Sequence, residues 1–159
     1  MENQSYLKAQ IKNQLLKWKK HYELFRDVFS HTAGKNKELA LIGDKVIDLI
    51  LFKKLYSVVK TTEIDLGDDF KWEIEYRPFK KWYMDSKRQE YFSRINQAKI
   101  FDELDLENML ITQHQVPSIN VKHTVFEAIF GALYLLFDME KTKEFLKSIA
   151  ILMGYGELS

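Results

Sequence analysis

Two acidic stretches, far apart in the chain, hold the residues whose types and spacing could do chemistry. The first reads Asn36-Lys37-Glu38-Leu39-Ala40-Leu41-Ile42-Gly43-Asp44-Lys45-Val46-Ile47, and the second His123-Thr124-Val125-Phe126-Glu127-Ala128-Ile129-Phe130-Gly131-Ala132. Each sets one carboxylate, Asp44 or Glu127, among apolar and small residues of a helical pattern. Small residues let two helix backbones approach closely. Carboxylates brought together in a core repel, and the pair then needs a proton or a cation, which is the raw material of a Mg2+ site.

The spacing supports such a meeting. Gly43 costs a helix roughly 1 kcal/mol against alanine, and a helix keeps such a residue mainly for the close approach of another backbone. Ala128 and Ala132 lie one turn apart, as do Glu127 and Gly131. If Gly43 faces Ala128 or Gly131, Asp44 and Glu127 come within reach of one ion. Asp48 lies four residues after Asp44 and shares a neighbouring face. The residues alone leave a second reading open, with Asp44 a surface acid and Glu127 a first-turn acid favoured by the helix dipole.

The elements that must position these groups are mostly helical. Tyr6, Leu7, Ile11, Leu15, Leu16 and Trp18 recur at helical spacing opposite a lysine-rich face. Tyr22 to Phe29 continues in that style and stops between Ser30 and Gly34. Further helices are expected from about Lys37 to Val58, Gln89 to Leu104, Asp105 to Ile111, Val121 to Phe137 and Lys141 to Met153, the last stopped by Gly154 and Gly156. Leu39, Ile42, Val46, Leu49 and Ile50 form the expected apolar stripe of the first signature. One segment differs. Phe70, Trp72, Ile74 and Tyr76 alternate with Lys71, Glu73, Glu75 and Arg77, a strand period, and Gly67-Asp68-Asp69 suits a turn. A β-hairpin over 61–77 is therefore expected, with Pro78 ending its ladder.

Composition bounds the rest. The 159 residues suit one domain, expected to span 1–159, and the 46% hydrophobic content is enough for a core. Without cysteine there are no disulfides or thiolate metal sites. No basic region precedes an apolar one as in a secretory signal. The longest apolar run, Val46 to Phe52, is interrupted by Asp48 and too short for a bilayer. A cytoplasmic protein without membrane association is expected. The net charge of +1 gives no global support for nucleic-acid binding, so local patches decide that question.

The two signatures resemble those of the ribonuclease III superfamily. The first is similar to its Asn-Glu-x-Leu-Glu-x-Leu-Gly-Asp-x-Val motif and the second to its Asp-x-x-Glu-Ala-x-x-Gly-Ala motif. Leu24 to Ala33 resembles the family's Leu-x-x-Ala-Leu-Thr-His-x-Ser stretch, which gives His31 a capping or packing place rather than a catalytic one. Ser86 to Leu110 resembles its middle helices. Two of the family's four metal-binding carboxylates are absent, since Ala40 and Thr124 stand in their places. Both replacements follow the Mini-III branch, which lacks a double-stranded-RNA-binding domain. Leu39-Ala40-Leu41-Ile42-Gly43-Asp44 and Thr124-Val125-Phe126-Glu127-Ala128-Ile129 match that variant, while its Arg-Gly-Arg-Asn segment and the Tyr-Arg before the second motif are not found.

The resemblance implies an all-α ribonuclease III endonuclease-domain fold, here with a small inserted β-hairpin and no separate RNA-binding domain. It implies a homodimer that hydrolyses phosphodiesters in double-stranded or structured RNA. Asp44 and Glu127 would be catalytic and hold Mg2+ (or Mn2+), with Asp48 assisting from behind or standing as a solvated acid. The missing carboxylates motivate an alternative, an inactive homologue acting as an RNA-binding or assembly subunit. Basic residues among aromatics, Lys71, Arg77, Lys80, Lys81, Lys87 and Arg88, are candidate RNA contacts, since basic groups meet phosphates and aromatics stack on bases. The other reading of that segment is aromatic packing beside solvated lysines.

Overall fold

The computed structural model describes residues 2–31, 34–56, 61–65, 70–74, 81–111 and 116–159. Seven α-helices follow in order among them: α1 (Glu2–His21), α2 (Glu23–Val28), α3 (Lys35–Tyr56), α4 (Lys81–Phe92), α5 (Arg94–Glu103), α6 (Ile119–Leu136) and α7 (Met139–Met153). Helix α6 is the most apolar of them, with Val125 to Leu133 buried without interruption. A helix apolar all round belongs in the middle of a bundle. Helix α3 runs along it in the most extensive helix pairing of the described chain, and α2, α5 and α7 pack around α6. Trp18 of α1 closes one end of the core against Phe25, Phe137 and Phe145.

Local chemistry sets the helix ends. Ser118 caps α6 by accepting from the Val121 N–H, and Asp138 caps α7 by accepting from Lys141. Gly154 stops α7 in the left-handed conformation, with φ of 73°. The expected helix Gln89 to Leu104 is two helices. Ser93 takes an extended conformation between them and accepts from the Asn96 N–H, so α4 ends and α5 begins at a capping serine buried in a helical pattern. The expected helix over Asp105 to Ile111 is a single 3-10 turn, Leu106–Met109, entered through Asp105 at φ of 52°.

The fold class expected from sequence needs one correction. The described core of the domain body comes from the helices and the turns beside them. The inserted hairpin expected over 61–77 is not an element of that body. Among the described residues, extended backbone there amounts to two five-residue stretches, Thr61–Asp65 and Phe70–Ile74, which pair antiparallel with each other. A two-stranded ribbon is marginal in water by itself, so a strand period can govern local pairing without adding a layer to a fold. The expected turn at Gly67-Asp68-Asp69 and the end of the ladder at Pro78 lie outside the described residues.

The apolar stripe of α3 is also displaced from its expected setting. Leu39, Val46, Ile47, Ile50 and Leu51 are buried, Ile42 is half-buried, and Leu49 is 56% exposed. The buried face is centred on Gly43, because α6 lies directly over that glycine.

Candidate active site

Two glycines bring α3 and α6 into backbone contact. A Cβ on Gly43 would overlap the Glu127 carbonyl oxygen, lying 2.7 Å from its carbon and 2.9 Å from the Gly131 nitrogen. A Cβ on Gly131 would overlap the Leu39 carbonyl in the same way. The helices therefore cross where each lacks a side chain, and the residue after Gly43 meets the residue of α6 that Gly43 touches. Those residues are Asp44 and Glu127.

The Glu127 carboxyl lies within hydrogen-bonding reach of the Asp44 carboxyl. Burial first, and then the charge of Asp44, push the Glu127 carboxyl up to about 7, with Arg88 opposing. Glu127 is 8% exposed. Its Oε1 lies 2.9 Å from His123 Nδ1, one turn back on α6. Burial lowers the pKa of His123, reinforced by Arg94 and Arg88 against the pull of Asp44. Both shifts disfavour the charged form, against the ion pair that the distance alone would suggest.

Asp44 is satisfied differently. Arg88 of α4 reaches across and donates from Nη2 to Asp44 Oδ1 at 2.7 Å and from Nε to Asp48 Oδ1 at 2.6 Å. Its Nη1 donates to the Phe92 carbonyl at 2.7 Å, and the guanidinium lies 5.9 Å from the Phe92 ring centre. Asp44 and Asp48 do share a face, and the cation bridging them is a side chain of the protein itself.

These groups line a cleft of about 450 Å³. Lys37, Ala40 and Asp44 form one wall, His123 and Glu127 another, and Arg88, Ser93, Arg94 and Gln97 a third. Ala40 contributes only a methyl where a family carboxylate is expected. Thr124 is not among the lining residues, and its hydroxyl donates to the Asn120 carbonyl at 2.7 Å within its own helix. No cluster of three or more histidine or acidic residues suited to a metal occurs among the described residues. Two carboxyl groups are nevertheless in place, close enough to repel. Mg2+ binds through one or two carboxylates while keeping waters and substrate oxygens, so the donor set fits such an ion at the Asp44–Glu127 junction.

The other candidate RNA contacts separate. Arg88 is turned inward, with its side chain 13% exposed. Lys87 points to the opposite flank of α4, where it bonds Glu157 at 2.9 Å and lies over the rings of Tyr83 and Tyr91. Lys81 is exposed at the start of α4. Lys71 belongs to the extended ribbon, where only backbone is described, and Arg77 and Lys80 lie outside the described residues. Sequence reasoning passed over Lys37, Arg94 and His123 as cleft residues. Lys37 stood inside the first signature, and His123 opened the second one turn before Glu127. Arg94 had no signal beyond its place after a helix-capping serine.

The fold and the cleft together describe a helical domain with paired acids at a helix crossing. The profile of the ribonuclease III domain matches residues 37–138, which include both signatures apart from Asn36 and every residue named in the walls of the cleft. The chain belongs to the ribonuclease III domain family, a family of endoribonucleases that act on double-stranded RNA, generally use divalent metal ions and typically dimerise. No curated protein and no solved structure matches it. No helix among the described residues is long and apolar enough to cross a membrane.

Proposed function

We propose that this protein is a Mg2+- or Mn2+-dependent endoribonuclease that hydrolyses phosphodiesters in double-stranded or structured RNA, working as a homodimer. The observation that carries the reading is the junction of Asp44 and Glu127 across Gly43, where burial and mutual repulsion raise the Glu127 pKa to about 7. A divalent ion relieves that repulsion, as a proton does in its absence. When bound, it would supply activation of water and stabilisation of charge on the phosphate oxygens. Asp44 and Glu127 would hold it, and Asp48 would act through Arg88 behind Asp44. Lys37 and Arg94 at the cleft walls are placed to meet phosphates, so duplex binding should weaken steeply with salt.

The test is incubation of the purified protein with a long RNA duplex, with and without Mg2+. Metal-dependent cleavage lost in Asp44→Asn and Glu127→Gln is the expected result. No cleavage of any duplex over a wide enzyme range refutes it.

A second reading has its own observation. Arg88 already bridges Asp44 and Asp48, while Ala40 and Thr124 supply no carboxylate. A non-catalytic RNA-binding or assembly subunit would have that arrangement. It predicts duplex binding indifferent to Mg2+ and to substitution of Asp44 or Glu127.

A further inference from the structure

We propose that Arg88 is the resident counter-ion of the metal site, a positioning residue whose charge, held against Asp44 Oδ1, opposes a divalent ion at the same carboxylate, and that it thereby sets the metal concentration at which the site loads. The inference rests on the metal-dependent reading above. Its observations are separate from those that support the Asp44–Glu127 pair.

The first is the way Arg88 is held. Three of its nitrogens bond separate acceptors, Asp44 Oδ1, Asp48 Oδ1 and the Phe92 carbonyl, at 2.6 to 2.7 Å. Charge-assisted contacts of that length are the strong kind. A surface arginine sampling solvent does not make such a set. The second is the foundation of α4. On its other flank Lys87 and Tyr91 both bond the Glu157 carboxylate in the C-terminal 3-10 turn, Gly156–Leu158. Tyr91 and Phe92 pack on Tyr155. The helix that carries Arg88 is tied down from behind, so the guanidinium is aimed by structure rather than by attraction alone.

The third is the division of the acceptors. Only one of the three, Asp44, is a proposed metal ligand. Asp48 and the Phe92 carbonyl would still hold Arg88 at the cleft wall were its contact with Asp44 weakened. Asp44 is the contested group. A guanidinium and a dication on one carboxylate repel each other across a few ångströms, so each weakens the other's hold. Arg88 thus does two opposed things. It bridges and orients Asp44 and Asp48, one turn apart with like charge, and it competes with the ion that Asp44 and Glu127 would bind.

The test is a metal titration read by thermal unfolding, since an ion that binds only the native state raises its melting temperature. Wild type, Arg88→Gln, Arg88→Lys and Asp44→Asn would be titrated with MgCl2, and separately with MnCl2, at constant ionic strength. Arg88→Gln should lower the metal concentration at which the melting temperature begins to rise by about tenfold, the effect of losing one partly buried charge-assisted contact. Arg88→Lys keeps the charge but loses the two-carboxylate bridge. It should fall between the two, and it carries the test if the glutamine variant does not fold. Asp44→Asn should abolish the shift. A merely structural Arg88 would lower the melting temperature at every metal concentration and leave the concentration at which it begins to rise unchanged, and that result overturns the inference. A wild type without any metal-induced shift overturns the metal-site reading itself, and this inference with it.

Discussion

Replacing Gly43 with alanine tests the geometry on which everything at the site depends. The added methyl would overlap the Glu127 carbonyl oxygen and lie 2.7 Å from its carbon and 2.9 Å from the Gly131 nitrogen. All three atoms are backbone of α6, so no side chain can rotate away, and the helices must separate. Overpacking a core costs about 1–3 kcal/mol, and rigid backbone on both sides puts this site at the upper end. Alanine returns roughly 1 kcal/mol of helix propensity, leaving a net loss of about 2 kcal/mol. For a chain of 159 residues, that lowers the melting temperature by about 4–8 °C. Thermal unfolding followed by circular dichroism measures it. Gly156→Ala is the control, because nothing lies within 4 Å of its added Cβ, and it should stay within about 0.5 kcal/mol of wild type. Separation of the helices also parts Asp44 from Glu127, so the metal-induced rise in melting temperature should shrink in Gly43→Ala alone. A Gly43→Ala protein as stable as wild type would refute the close-contact argument and, with it, the reason for the carboxyl pair to meet.

Other outcomes follow from the same structure. In EDTA, Glu127 should contribute stability that is complete below about pH 4.5 and lost as pH rises through about 7, because its folded pKa lies above its ordinary value. The groups facing it are Asp44, Asp48, Arg88 and His123, and the difference between wild type and Glu127→Gln across that range isolates its share. Since the metal would displace the Glu127 proton, Mg2+ affinity should rise with pH through the same window, and a pH-independent affinity would contradict the shared-proton picture. Lys37→Ala and Arg94→Ala should each weaken duplex binding and reduce the salt slope by about 1, measured by fluorescence anisotropy; an unchanged slope removes that residue from the phosphate contacts. Glu157→Ala should destabilise the protein by about 1 kcal/mol in denaturant unfolding, because it leaves the Tyr91 hydroxyl, whose pKa is pushed up to about 12, without its acceptor.

Much of the site was legible in the chain because its cause is local. A glycine inside a helix asks for a close neighbour, and Gly43 and Gly131 answered each other. The acids beside that contact, Asp44 and Glu127, could be singled out before any coordinate, and the helical periods of α1, α3, α6 and α7 identified the bundle that carries them. Less was legible where a local pattern competed with packing. The alternation around Phe70 to Ile74 describes a short pairing that adds no layer to the domain, and Ser93 cut a helix whose apolar period runs straight through it.

What only the tertiary structure decided concerns charge. In sequence, Arg88 was one of six basic residues in an aromatic segment, indistinguishable from Lys87 beside it. Folding sends the two in opposite directions, Lys87 to Glu157 and Arg88 to Asp44 and Asp48. Neighbours on a helix point about 100° apart, and which direction faces acid depends on what α3 and the C-terminal turn present there. Lys37, Arg94 and His123 entered the cleft for the same reason. Spacing along a chain determines which groups share a face, whereas the partner across the gap, and so whether a charge is free, paired or protonated, exists only once the helices have packed.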